Sequence, residues 1–232
     1  MRLLSTLFVA LSLVLVSCAS ETTRPASQQQ PPLAENDTPQ HAVQRFVGAY
    51  EQKKTAEYGA LFTGDFAFEF SNSTDPDLVV KYSAGWLKTD EDTAAIHLFQ
   101  GYTPQGQSHA PAASSINIDL TTTLPVDDNS PGLDPATHKI LSTRVDGQIV
   151  IPPTGTATDP TNYLVENNYN AIYLVRGDQA VGLAASQPAD DAHWYIYLWK
   201  DLTVSSAQPR NRPVSPQPAQ ASTWANLRAN YR

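Results

Sequence analysis

The spacing of apolar residues changes part-way along the chain. Between residues 38 and 102 they recur mainly every three or four positions, the period of a helix face. From residue 116 to residue 204 they mostly alternate or run continuously, the pattern of strands. The order is helix, short helix, strand, helix, then a series of strands. Such an order predicts an α+β fold, a strongly curved antiparallel sheet packed against N-terminal helices on its concave side.

The elements can be placed more closely. Thr38-Pro39 is a helix start, with Thr as N-cap and Pro in the first turn. Ala42, Val43, Phe46, Val47 and Tyr50 then share one face, and the helix is expected to end near Lys53. A second helix is expected over 56–62, a break at Gly64-Asp65, and a strand in which Phe66, Phe68 and Phe70 alternate with Ala67, Glu69 and Ser71. Residues 72–77 read as a turn. Thr89 reads as the cap of a third helix whose first turn, Asp90, Glu91 and Asp92, suits the positive end of the helix dipole. Its apolar stripe is Ala95, Leu98, Phe99 and Tyr102. Strands follow over 116–124, 139–151, 169–176, 180–185 and 194–204, with a hairpin turn at Gly177-Asp178. The strand over 169–176 is apolar on both faces and is expected to be central. Long loops cover 103–113 and 125–137. A Pro-rich stretch over 207–220 precedes a short helix over 222–230, and no internal repeat is visible.

The amino terminus has its own character. Arg2 precedes an apolar run over 3–16, broken only by Ser5, Thr6 and Ser12. Those 14 residues fall short of the about 20 that a membrane-spanning helix needs. A basic start, a short apolar centre and a small-residue exit are the parts of a secretory signal. The exit is Leu15-Val16-Ser17-Cys18, and Cys18 is the only cysteine of the chain. This stretch resembles the lipobox of bacterial lipoproteins. The resemblance implies cleavage before Cys18, lipid attached to its thiol and acylation of the new amino terminus, a chemistry that needs a thiolate nucleophile. Several acyl chains anchor a protein stably to a bilayer. The expected location is therefore the bacterial cell envelope, with the membrane as partner. Ala19 and Ser20, with no Asp following the cysteine, resemble cargo for the periplasmic face of an outer membrane where there are two membranes.

Residues 19–37, ASETTRPASQQQPPLAEND, carry no apolar period and too little apolar surface to offset ordering. They read as a tether that spans roughly 60 Å extended and about 25 Å as a coil. The expected organisation is a signal over 1–17, a tether over 18–37, a folded domain over 38–206, and a Pro-rich linker with a short helix over 207–232. With 41% hydrophobic residues, the domain can build a core.

Charge is unevenly spread. The net charge is -8; residues 19–207 hold ten basic against 23 acidic side chains, whereas residues 208–232 hold Arg210, Arg212, Arg228 and Arg232 and no acid. The acidic body argues against nucleic acid as a partner, because phosphates repel it. The basic tail reads as solvated charge that can dock on the acidic body, or as a contact for lipid or wall polymer.

Three stretches carry a further resemblance: VQRFVGAYEQKKTAEYGALFTGDFAFEF, WLKTDEDTAAIHLF and WYIYLWKDL. Together they resemble the NTF2-like superfamily, the cone-shaped fold of SnoaL-type cyclases and ketosteroid isomerases, over about residues 40–203. The superfamily implies a cone whose interior holds a ligand or an acid–base pair. A carboxylate against an apolar wall, with a Tyr nearby, is what such a pair requires. The residues that fit are Asp65 or Glu69 with Tyr50 or Tyr58, and His97 on the flank of the third helix. Each also has a structural reading: Asp65 as a turn residue, Glu69 as a solvated strand residue, Tyr50 as core and His97 as a hydrogen-bonded histidine. Tyr50, Tyr58, Trp194 and Trp199 are the candidates for lining a pocket, since aromatic rings line apolar ligand sites.

Standard catalytic and nucleotide-binding motifs are absent, and no cofactor is implied. His41, His97, His109, His138 and His193 are too scattered to suggest a metal site. The sequence thus supports a lipid-anchored envelope protein whose domain is a ligand-binding or assembly module. The candidate partners are a small apolar ligand, an envelope protein or a second copy. The alternative is an isomerase-like enzyme that uses a cavity carboxylate as general base.

Overall fold

Thr38 opens helix α1 (Pro39–Glu51). Its hydroxyl accepts the His41 backbone N–H at 3.1 Å, and Pro39 fills the first turn. Ala42, Val43, Phe46 and Tyr50 form the buried face, as the spacing predicts. The structure, a computed structural model, describes residues 30–103, 110–155, 157–204 and 220–232. It separates residues 1–31 from a second compact unit, 32–232, which carries every element below. The folded unit begins earlier than the sequence suggests. Leu33 packs on the core, and the Asn36 side-chain amide donates to the Trp194 carbonyl at 3.0 Å. The last residues of the expected tether are thus bound to the domain.

Helix α2 (Thr55–Gly59) is shorter than expected, because Phe62 already belongs to strand β1 (Phe62–Glu69) and pairs with Ile196. The segment read as a turn instead leads into helix α3 (Pro76–Lys81), which starts where Asp75 precedes Pro76. Strand β2 (Trp86–Leu87) runs straight into helix α4 (Lys88–Gln100). There Asp90, rather than Thr89, supplies the cap: its Oδ2 accepts the Leu87 backbone N–H at 2.9 Å.

The sheet holds β3 (Ser115–Thr122), β4 (Val126–Asp127), β5 (His138–Ile151), β6 (Thr161–Arg176), β7 (Trp194–Asp201) and β8 (Gln220–Ala221) as well as β1 and β2. Its main order is β2-β1-β7-β6-β5-β3, with β4 on β5 and β8 on β6. Pairing is antiparallel except for β1 with β7 and β6 with β8, which are parallel. The expected α+β class is therefore present, with a mixed rather than purely antiparallel sheet. Strand β6 lies between β5 and β7, as its two apolar faces require. Register shifts at Val145/Gly147 and Tyr173/Leu174 insert extra residues into the ladder, and such bulges bend and twist a sheet.

Residues 180–185 do not form the expected strand. After a 3₁₀ turn (Gly177–Gln179) the chain bends across β1. Gly182 adopts φ +66, and a Cβ on Gly64 would stand 2.4 Å from the Gly182 carbonyl oxygen. Two backbones meet there with no room for a side chain. Helices α1, α2 and α4 pack with the sheet around an aromatic core. Phe46 contacts Tyr58 and Trp199 with ring centroids 5.4 and 5.0 Å apart, and Phe62 meets Phe66 at 4.5 Å. Helix α5 (Trp224–Asn230) completes the core: Trp224 is 1% exposed and its ring lies 5.1 Å from that of Tyr50.

Candidate functional site

A carboxylate stands inside this aromatic core. Glu91 belongs to the first turn of α4 and is 1% exposed. Its position follows from helix geometry, since residues 91, 94, 95 and 98 share one face, and Ala94, Ala95 and Leu98 are all buried. Two neighbours hold its oxygens. The Tyr58 hydroxyl, from α2, donates to Oε1. The Trp86 indole N–H, from β2, donates to Oε2 at 2.9 Å.

The counter-charge comes from the other end of the chain. Arg228 on α5 places Nε 3.3 Å from Glu91 Oε1, and its side chain is 2% exposed. The guanidinium carbon lies 4.9 Å from the centroid of Phe68, 4.6 Å from that of Trp199 and 4.9 Å from that of Trp224. Guanidinium groups are planar and weakly hydrated, so they tolerate ring faces where an ammonium would not. None of the three guanidinium nitrogens has a hydrogen-bond acceptor among the described residues. Charge and ring contact alone hold the cation.

The electrostatics follow from burial. Desolvation pushes the Tyr50 hydroxyl far above its ordinary value. The same burial, with the Glu91 charge added, raises that of Tyr58. Both phenols stay protonated, and Tyr58 acts as a donor.

Polar contacts fasten α5 at both ends. Thr223 caps the helix by accepting the Asn226 backbone N–H at 3.0 Å. Its hydroxyl also donates to Asp75 at 3.0 Å, and the Asn226 amide donates to the same carboxylate. Arg232 pairs with Asp90 at 2.5 Å. His97 donates from Nδ1 to the Tyr231 carbonyl at 2.7 Å, and its ring stacks on Tyr102 at 4.0 Å. Close by, Asp201 is 6% exposed. Its Oδ1 accepts the Thr203 N–H at 2.8 Å, while Oδ2 has no partner among the described residues. Burial raises the pKa of both Asp75 and Asp201, and the Asp75 charge adds to the shift of Asp201.

The residues singled out from sequence fall into two groups. Tyr50, Tyr58 and Trp199 all reach the interior; the Tyr50 and Tyr58 rings lie 5.3 Å apart, and the Trp199 indole donates to Asn170 at 2.8 Å. Trp194 is buried at the opposite end of β7. His97 binds the tail as a hydrogen-bonded histidine. Asp65 and Glu69 are exposed on β1, and Glu69 pairs with Lys200 at 3.0 Å. Neither is brought to the tyrosines, because Phe62, Phe66 and Phe68 take the inward positions of that strand. Cys18 and His109 lie outside the described residues. Sequence reasoning missed Glu91 and Arg228. Both interrupt an apolar stripe: Arg228 shares the i, i+3, i+4, i+7 face of Trp224, Leu227 and Tyr231. A charge inside such a stripe was the available signal.

An isolated carboxylate beside a phenol in an apolar pocket is the equipment of acid–base catalysis. Here the oxygens accept two hydrogen bonds, a guanidinium neutralises the charge, and Trp224 and Arg228 fill the adjacent space.

No protein-family model matches the chain, and no curated protein is similar in sequence. Among solved structures, a conserved protein from Planctomyces limnophilus is 10% identical, with a TM-score of 0.43, over 70% of this chain and 90% of that one. A protein from Novosphingobium aromaticivorans assigned as an aromatic ring hydroxylase is 12% identical, with a TM-score of 0.44, over 75% of this chain and 93% of that one. A second from the same organism, assigned as a scytalone dehydratase, is 9% identical, with a TM-score of 0.41, over 75% and 92%. None of them transfers a residue role or a reaction to this chain.

Proposed function

We propose that the chain is a lipid-anchored protein of the bacterial cell envelope whose folded domain is a binding or assembly module closed by its own C-terminal helix. The observation that carries the module reading is the occupancy of the interior by Trp224 and Arg228, with Arg228 set against Glu91. Trp224 and Arg228 lie buried against Tyr50, Phe68 and Trp199, which supports a domain closed by the chain itself. The basic tail is accounted for in part by Arg228 and Arg232, which pair with Glu91 and Asp90. The anchoring rests on Leu15-Val16-Ser17-Cys18 and its likeness to a lipobox.

The test is fractionation of the native organism or of a bacterial host. The intact chain is expected in washed membranes, with mass spectrometry showing an acylated N-terminal Cys18. Cys18→Ser is expected in the soluble fraction or as uncleaved precursor. Equal retention of Cys18→Ser in a processed form refutes the anchor.

A second reading keeps the enzyme. The contact between the Tyr58 hydroxyl and Glu91 favours it, since that pair supplies a carboxylate and a proton donor side by side. In this reading Glu91, not Asp65 or Glu69, is the general base, and α5 must leave before substrate enters. Turnover of a cyclic ketone that is lost in Glu91→Gln, while the variant still folds, would establish it.

A further inference from the structure

Arg228 sits in its place as a ligand sits in a receptor. Apart from Trp224, the groups that surround its guanidinium belong to the body of the domain: Phe68 on β1, Trp199 on β7 and Glu91 on α4. Glu91 is oriented without the tail, through Tyr58 and Trp86. Two aromatic faces and a prearranged carboxylate are the chemistry that recognises a planar, weakly hydrated cation. For stability alone, an apolar side chain of similar volume serves a buried position as well as a charge or better. Among the described residues the guanidinium donors meet no hydrogen-bond acceptor while the side chain is 2% exposed, so charge and ring faces are what hold it there.

Among the described residues the polar attachments of α5 are few: the Asp75 contacts to Thr223 and Asn226, the Arg232 pair with Asp90, the His97 bond to Tyr231, and two residues of β8 on β6. Beyond them the helix is held by the buried side chains of Trp224, Ala225, Leu227 and Tyr231, an apolar face that a second helix of like sequence can supply in its place. Fifteen residues, 205–219, stand between the last described residue after β7 and β8. Strands β1 to β7 pair with one another through described residues.

We infer that the interior is a receptor for the guanidinium of an arginine side chain, and that α5 is its exchangeable occupant. The ligand is an arginine-bearing helical peptide of the Trp-x-x-x-Arg kind seen in α5, supplied in trans. This deepens the reading of the domain as a binding module and names the ligand class of the same site.

The experiment uses the purified full chain in detergent, as wild type and as Arg228→Ala, and follows thermal melting with added ethylguanidinium or N-ethylurea. N-ethylurea has a similar shape and no charge. Arg228→Ala is expected to gain Tm saturably with millimolar ethylguanidinium and to regain most of its loss. Wild type is expected to show no saturable gain, and N-ethylurea to have no such effect on either. Should Arg228→Ala lack a cooperative melt on its own, ethylguanidinium must restore one. Exchange is read by fluorescence anisotropy with a labelled peptide of residues 220–232, which must bind Arg228→Ala, whereas the same peptide carrying R228A must not. No saturable rescue, equal rescue by N-ethylurea, or rescue without binding of the peptide overturns the inference. Because the readouts do not depend on membrane attachment, a failure here is separate from a failure of the anchoring test.

Discussion

Glu91→Gln keeps the shape of the side chain and removes its charge, which leaves Arg228 buried without a counter-ion. At the 3.3 Å separation, two unit charges attract by about 5 kcal/mol at an effective dielectric constant of 20. Desolvation of both groups offsets much of that attraction in the intact pair. Removal of one partner leaves the other's penalty unopposed, and such losses run to about 3–5 kcal/mol. For a domain of this size each kcal/mol moves Tm by about 2–4 °C, so a fall of roughly 6–20 °C is expected. The assay is a double-mutant cycle of Glu91→Gln, Arg228→Met and their combination, followed by urea and thermal melts on circular dichroism. Met replaces the Arg stem without its charge. The double variant is expected to be more stable than the summed single losses imply, by at least about 2 kcal/mol. Losses that add within about 0.5 kcal/mol would show that the two charges do not depend on each other.

Two other perturbations have definite signs. The folded pKa of Asp201 is raised by burial, so the stability tied to its protonated form is present below the unfolded value and lost as pH rises through the folded one. Asp201→Asn, which keeps an acceptor for the Thr203 N–H, is therefore expected to raise Tm at pH 7, with a gain that shrinks to nothing by about pH 3; an equal gain at both pH values contradicts the assignment. Gly64→Ala forces a Cβ to within 2.4 Å of the Gly182 carbonyl oxygen. A loss of about 1–3 kcal/mol in urea melts is expected, and an unchanged midpoint would mean the loop does not rest on β1.

The elements legible in the sequence were those fixed by local chemistry. Thr38-Pro39 and the stripe from Ala42 to Tyr50 define α1 without tertiary information, and the two apolar faces of residues 169–176 place β6 inside the sheet. Errors arose where distant groups decide. Residues 180–185 alternate weakly, but the approach of Gly182 to Gly64 pulls them off the sheet. Asp75 looked like part of a turn and is instead the acceptor for the cap of α5, 148 residues away. Glu91 looked like a first-turn acid that complements the helix dipole. That local reason masks the other signal, the place of Glu91 on the buried face of Ala94, Ala95 and Leu98. Arg228 lies among tail charges that read as solvated, and only a fold that brings α5 against α4 buries it.

The placement of α5 makes the end of the chain decisive for its middle. A stop codon between Val204 and Arg228 would leave β1 to β7 intact on paper and strip Glu91 of its only buried cation among the described residues. Synthesis must therefore pass Arg228 before the buried charge can be neutralised. A tag or fusion joined directly to Arg232 crowds the one segment whose seating neutralises the centre.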